Sequence, residues 1–542
     1  MHSFIVYTVA ASLANLVQFA AADHRLVYDA EGYNGGAFGR RPNQTYLSTK
    51  IASPLFQINS WNRTTTDDSK YLFLGLWNPL GGSAGPMIFS TEDFSLVYAD
   101  WSWPSTHNTR VQKFKGVDYL TFYEGAQKDG HSSGNCLMLD SSYNVAYNIT
   151  TRNVSSTVDM HECEVTEDGT VLISVYESIW TNLTGVGGPQ RGELLDSIVQ
   201  EIDIETNELL FMWKASEHTN VTDTYSHYHR SEGGWDFFHL NSVQKTKEGN
   251  YLISARHFHT LTYVNGSTGE TIWTLGGKQN DFTDISNGSA TDFGWQHHAR
   301  FRDDDLTQLT FFDNHALKTE IGCKKDCSRG RHVELNYDDM TVRLVQDYFH
   351  PTSLTSTARG GYTVVPNGNV LISWGVNPAF TEYTPDGECV QDVQFDLWDP
   401  KAEGRGHYRA FKMDWVGKPS WDPSIASVIE PYGGSKVAVS WNGATEIASW
   451  ELYTGDTQTT VTELSHTIKK TGFETIMVIG PGPKYARATA LDKDGHVLGK
   501  TPVIDLWSGE TTPVIEIPAS VAVSDFLSGF YLYFLRIISF YR

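Results

Sequence analysis

At 542 residues the chain is long enough for a large core and for more than one folded unit. It is 40% hydrophobic and 13% aromatic but only 19% charged, with 47 Gly and 16 Trp, a balance that favours strands and turns over helices. The formal charge of −23 excludes the basic surface that nucleic acid or an anionic membrane would need as a partner. Any anion-handling site must therefore build a local positive pocket against the molecule's own field.

The apolar segment 4–22 ends in Ala20-Ala21-Ala22 before Asp23, and residues 1–22 read as a secretory signal peptide with a weakly charged start. Eight N-x-S/T sequons follow, at Asn43, Asn62, Asn148, Asn153, Asn182, Asn220, Asn265 and Asn287, which points to export through a glycosylating, oxidising pathway and a secreted protein. Of the five cysteines, Cys323 and Cys327 bracket a three-residue segment and are expected to close a small disulfide loop. The spacing of Cys136, Cys163 and Cys389 assigns no pairing, and no zinc-ribbon pattern is present.

Three phrases repeat: E-D-G-T-V-L-I-S (167–174), K-E-G-N-Y-L-I-S (247–254) and P-N-G-N-V-L-I-S (366–373). Each is a glycine turn leading into a short apolar strand. A second phrase, a polar turn followed by an aromatic or apolar strand, recurs at 203–213, 264–273 and 383–390. The turn glycines lie 80 and 119 residues apart, a difference of about one blade of a propeller. Filling the intervals predicts six four-strand units, centred near 69–103, 111–150, 160–215, 239–277, 298–348 and 358–396. An all-β, six-bladed β-propeller over 23–419 is the expectation, closed by the strand near 408–415 or by an early strand within 46–58.

After Pro419 the texture changes. Short alternating runs at 436–441, 446–453, 473–479 and 486–492 predict a small immunoglobulin- or fibronectin-III-like β-sandwich over 420–518, with no chemical constellation in it. The tail, 519–542, is apolar apart from Arg536, too short and too charged for a membrane span, although Ser520 or Ser524 would suit a lipid-anchor site.

Chemistry concentrates between Trp235 and His315, where histidines and an arginine stand at the ends of apolar strands. Imidazole is a nucleophile and proton carrier near neutral pH, and guanidinium grips oxyanions. Several His with one Arg therefore suit transfer of an anionic group. The motifs H-L-N-S-V (239–243), G-N-Y-L-I-S-A-R-H (249–257), W-T-L-G-G (273–277) and Q-H-H-A-R-F (296–301) resemble the arylsulfotransferase family in its secreted fungal-type form. G-N-V-L-I-S-W-G (368–375), H-Y-R-A-F-K-M-D-W (407–415) and V-S-W-N-G-A-T-E (439–446) extend the resemblance over most of the chain.

The resemblance implies a six-bladed propeller whose central channel moves a sulfuryl group from an aryl sulfate to a phenolic acceptor. No nucleotide sulfate donor and no cofactor take part, and a histidine is transiently sulfated. That nucleophile matches His297. The sulfate-gripping residues match His239 and Arg256, and a further histidine matches His131. His298 departs from the small acidic residue expected there, and stands with Asn241 as a substrate contact; Asn241 falls two positions from His239 and so on the same strand face. Two other readings compete. One is a metal site, from His227-x-His229 or His257-x-His259 on one side of a strand. The other is a non-enzymatic secreted propeller that binds cell-surface partners.

Overall fold

A computed structural model describes residues 26–76, 84–318, 320–398, 406–431 and 433–512; the expected signal peptide and apolar tail lie outside them. Among the described residues helix is confined to Ala30–Asn34, Ala215–His218 and two 3₁₀ turns, so the fold is all-β. The chain divides into two units. The first runs to Trp421 and takes in Ser440–Ile447 and Lys470–Thr475, and the second holds the remainder.

The first unit is a succession of antiparallel four-strand runs. Tyr71–Leu76, Gly85–Ser90 and Leu96–Ala99 receive a fourth strand, His407–Met413, from the far end of the unit. A nine-stranded sheet carries two runs, one starting at Thr106–Phe114 and the next at Val158–Val165, joined where Val158 meets Gly134. The remaining runs start at Leu240–Lys245, His297–Phe301 and Gly361–Val364, and Gln57–Trp61 pairs at the outer edge of the last. The first strands of successive runs touch each other in turn, and His407–Met413 touches both Gly361–Val364 and Thr106–Phe114. This cycle of contacts makes the unit propeller-like; His407–Met413, within the expected 408–415 closure but for its first residue, pairs with Tyr71–Leu76, and Gln57–Trp61, which overlaps the alternative 46–58 only at 57–58, pairs with Cys389–Gln394.

The repeated phrases have a structural reason. Gly169, Gly249 and Gly368 take φ of 78°, 80° and 89°, the left-handed turn between first and second strands that only glycine adopts without strain. The second phrase turns from third strand to fourth: Asp203 Oδ1 accepts from Glu205 and Thr206 N–H, and Asn265 Oδ1 likewise from Ser267 and Thr268. The V-L-I-S strands read as continuous apolar runs because both faces are covered. In Tyr71–Leu76, alternate residues Leu72 and Leu74 pack with Leu371 and Phe380 of the last run, whereas Phe73 packs with Leu120 and Phe122 of the next. Cys136 and Cys163 form a disulfide between two adjacent runs, Cys323 pairs with Cys327, and Cys389 is a free thiol.

The second unit has a three-stranded sheet (Ser424–Ile429, Ser435–Ser440, Glu474–Ile479) and a six-stranded one built on Ser449–Gly455 and Tyr485–Leu491.

Because inter-sheet packing of these period-2 residues holds the first unit together, Phe122→Ala, at a fully buried position, is expected to cost about 3–5 kcal/mol. A urea unfolding titration reads this as a lowered midpoint.

Candidate active site

The first strands break register at one level of the unit. The pairing shifts between His107 and Arg110, Asp159 and Cys163, Leu240 and Ser242, His297 and Arg300, and His407 and Ala410. Asn108, His239 and His298 take positive φ of 58°, 57° and 54° at these bulges. A bulge re-aims side chains that a regular strand would alternate. Here the bulges bring His107, His161, His239, His297 and His407 to corresponding places. In the last run, which has no such histidine, Arg359 stands just before the first strand.

Two buried carboxylates organise the histidines. Asp236 Oδ2 accepts from His239 Nδ1 at 2.5 Å and His131 Nε2 at 3.0 Å, and its backbone carbonyl accepts from His257 Nδ1 at 3.0 Å. Asp159 bonds His161 Nδ1 closely and accepts from Ser132 N–H at 2.8 Å. The His239 ring lies 4.8 Å from His161, 4.8 Å from His257 and 5.3 Å from His131. Burial alone would raise both acids, but His161 holds Asp159 down to about 2, and His239, His257 and His131 hold Asp236 well below the carboxylate range. Burial also depresses His239 strongly and His257 to about 4, whereas His131, although buried, is raised by its bond to Asp236. At neutral pH Asp236 is a carboxylate beside neutral His239 and His257, and of the three imidazoles His131 is the one whose protonated form this carboxylate favours.

Arg256 reaches the same place. Its guanidinium donates to Thr357 O at 2.9 Å, meets His257 Nε2 at 2.8 Å and lies 4.9 Å over the Trp295 ring. Its Nε is buried without a partner. Burial lowers its pKa to about 10, so it stays charged.

His297 is fixed in one tautomer. Asn314 Nδ2 donates to Ser356 O at 2.8 Å and Arg359 O at 3.0 Å, so its Oδ1 must accept from His297 Nδ1, 2.6 Å away. The proton is on Nδ1 and the lone pair on Nε2, where Arg359 N–H donates at 3.2 Å. Burial, then the charge of Arg256, keeps this imidazole neutral. The Tyr408 ring stands 6.3 Å from His297 and 5.8 Å from His161.

The structure thus brings His131, His239, Arg256 and His297 into one electrostatic cluster. Asn241 lies in its wall: its Nδ2 donates to Gln296 O at 2.6 Å and its buried Oδ1 is unpartnered. The bulge between Leu240 and Ser242 breaks the simple alternation with His239. His298 faces a different layer, beside Arg110, Arg300 and Arg409. There Glu162 pairs with Arg300 at 2.7 Å and Arg409 at 3.0 Å, and Glu164 with Arg110 at 2.5 Å. The expected metal pairs do not share a strand face. His227 and His229 are exposed outside any strand, and His259 turns from His257 to stack on Tyr225 at 4.3 Å. A different trio, His131, Asp236 and His239, places three ligand-type atoms within 4.8 Å of one another.

Sequence reading missed Asp236, Asp159, His161, Asn314, Arg359 and Tyr408, and took His257 only as a candidate metal ligand. The one signal for Asp236 was its position three residues before His239 in W-D-F-F-H.

The site is a cluster of histidines, Arg256 and two carboxylates around a neutral imidazole of fixed tautomer. Residues 110–396 match the family model of arylsulfotransferase (ASST), and the chain belongs to that family. No curated protein matches. Among solved structures, the chain is similar to a protein of unknown function from Bacteroides caccae (13% identity, TM-score 0.36, covering 63% of this chain and 97% of that one). It is also similar to a protein from Lactobacillus plantarum (11%, TM-score 0.32, 82% and 97%) and to virginiamycin B lyase from Staphylococcus aureus (8%, TM-score 0.23, 66% and 85%). Likenesses this weak do not bear on function.

The Asp236–His131 pair has a pH window. The depressed carboxylate stabilises the fold above about pH 4 and loses that contribution as pH falls through its folded value. The raised His131 contributes fully below about pH 6.5 and loses it as pH rises through its folded value. Asp236→Asn is expected to cost about 3–5 kcal/mol near pH 5 and less at pH 9, read from urea midpoints at the two pH values.

Proposed function

We propose that the protein transfers a sulfuryl group from an aryl sulfate to a phenolic acceptor, without a nucleotide donor, through an N-sulfo adduct on His297. One observation carries this reading: the Asn314 amide leaves a neutral His297 with its lone pair on Nε2, within the field of Arg256.

Sulfuryl transfer, like phosphoryl transfer, has a loose transition state with charge on the equatorial and leaving oxygens. His297 Nε2 gives up the hydrogen bond from Arg359 N–H and attacks sulfur, the S–O(aryl) bond breaks, and its electron pair leaves on the phenolate. Arg256 and His131 face the developing charge, and His239 and His161, each held by a carboxylate at Nδ1, present Nε2 to the same space. In the second half the acceptor oxygen attacks sulfur and the S–N pair returns to Nε2. Asn241 lines the wall, and His298 acts only through the arginine layer.

The architecture we infer is a six-bladed propeller followed by an immunoglobulin- or fibronectin-III-like sandwich. It rests on the cycle of first-strand contacts and on the strand order of the second unit, 424–429, 435–440, 474–479 against 463–469, 449–455, 485–491, 503–505. A secreted glycoprotein with residues 1–22 as its signal fits the sequons, of which Asn62, Asn148, Asn153, Asn182, Asn220 and Asn287 are exposed and Asn43 and Asn265 half-buried.

A metal reading draws on the His131, Asp236 and His239 trio, but Asp236 Oδ2 already accepts from both histidines and Arg256 disfavours a cation nearby. The two readings separate in one experiment. With nitrophenyl sulfate and phenol, and no nucleotide, nitrophenol release is expected, and His297→Ala is expected to abolish it. Arg256→Gln should reduce it about 10²–10³-fold, and exposed His227→Ala should retain it. Mass spectrometry of quenched enzyme is expected to find the sulfo group on His297. Activity should survive EDTA; loss on chelation with recovery on metal addition would favour the metal.

A further inference from the structure

Arg256 is a cation held by neutral groups. Its Nη1 donates to His257 Nε2 at 2.8 Å, its Nη2 donates to Thr357 O at 2.9 Å, and its guanidinium carbon lies 4.9 Å from the centre of the Trp295 ring. His257 Nε2 is free to accept because Nδ1–H is given to Asp236 O at 3.0 Å. Among the described residues no carboxylate forms an ion pair with Arg256. The acid whose charge reaches it, Asp236, already accepts from His239 and His131. Other buried guanidinium groups of the unit do pair with acids: Arg331 with Asp347 at 2.8 Å and Arg409 with Glu162 at 3.0 Å. Such an acid beside Arg256 would hold it but would also cancel the charge that an anion needs.

Trp295 stands where that acid would, and the chain is strained to put it there. Its φ is 58°, a left-handed conformation that a bulky side chain rarely adopts. The residues on either side are fixed. Gly294 N–H donates to Asp313 Oδ1 at 3.1 Å, and Gln296 Nε2 donates to Thr260 O at 3.0 Å and to Ala255 O at 3.1 Å, which ties the segment to the residue preceding Arg256. The His259 ring meets the indole edge-on at 4.6 Å, and a Cβ at position 294 would lie 2.9 Å from that ring, so a side chain there would displace it. Strain that the surroundings impose from both sides marks a functional position. The electron-rich face of an indole attracts a guanidinium without bearing a charge of its own.

We propose that Trp295 is a positioning residue that aims Arg256 at the sulfate or sulfonate group of an aromatic anion while leaving its charge uncancelled. The choice of ligand rests on the sulfotransferase reading. Arg256 Nε, buried with no partner, is the donor kept for the anion.

Binding of p-toluenesulfonate to the full chain, followed by equilibrium dialysis, tests this apart from turnover, because its S–C bond leaves no group to transfer. Trp295→Phe keeps an aromatic face and should bind within about threefold of wild type. Trp295→Leu keeps the bulk without the face and should weaken binding about tenfold, as should Arg256→Gln. With Arg256→Gln already present, Trp295→Leu should cost under about twofold, because the indole acts only through the cation. Trp295→Glu should bind no better than Trp295→Leu. Equal losses from Trp295→Leu in both backgrounds, Trp295→Glu binding as well as Trp295→Phe, or no binding by the wild type would overturn the proposal. Binding that follows this pattern without nitrophenol release from nitrophenyl sulfate would overturn the sulfotransferase reading and leave the role of Trp295 standing.

Discussion

The carbonyl oxygens of Ser356 and Arg359 decide which nitrogen of His297 carries the proton and which the lone pair. Both accept from the Asn314 amide, which leaves only its oxygen for His297 and pins the ring proton to Nδ1. The choice costs nothing at the moment of reaction, because it is made by backbone groups that the fold has already placed. The strand of His297 thereby depends on the segment leading into the last run for its chemistry as well as its packing. A replacement that kept the bulk of Asn314 but not its amide would leave the ring free to take either tautomer.

The overall charge of −23 and an anionic substrate are reconciled locally. Around the site Arg256, Arg359 and the raised His131 face Asp236 and Asp159, and in the neighbouring layer Arg110, Arg300 and Arg409 face Glu162 and Glu164. In the arginine layer three cations face two carboxylates, and around the site two arginines match two carboxylates, with His131 raised in addition. Neutral histidines fill the space between, so the surplus is not dissipated by further acids. In a low-dielectric interior such a surplus acts far more strongly on a sulfate than exposed acidic side chains do through water. The acids remain necessary: without them the buried cations would lose protons or be expelled.

The fold was legible to the extent that it follows local chemistry. Turn glycines at 169, 249 and 368 announce themselves because left-handed φ permits little else, and two-faced burial makes V-L-I-S recur. The site was less legible because bulges break the period-2 rule on which face assignment rests. Asn241 and His298 both sit in such bulges, so alternation could not say where their side chains go. His257 and His259, spaced as if on one strand face, lie in a turn and part company. Asp236, Asn314, Tyr408 and Arg359 come from four separated segments, and nothing along the chain connects them. A sequence presents a motif but not the groups from elsewhere that set its tautomer and charge.

Exposure within the cluster is graded, and the gradient gives a direction. The side chains of His131 and His257 are 18% and 13% accessible, that of Asp236 12% and that of His239 10%, whereas His297 is 1% accessible and His107 equally buried. Substrate therefore approaches from the side of Asp236 and its histidines, with sulfate leading, toward the buried nucleophile. In the proposed mechanism an N-sulfo adduct at that depth lies behind His239 and His131, where water arriving from solvent meets polar, hydrogen-bonding groups before it meets sulfur. A phenol makes the same journey with an aromatic body that can pack against Tyr176 and Trp295, which flank His131 and His257 at 4.4 and 5.6 Å. In the proposed mechanism the burial that keeps His297 neutral also favours phenol over water as acceptor.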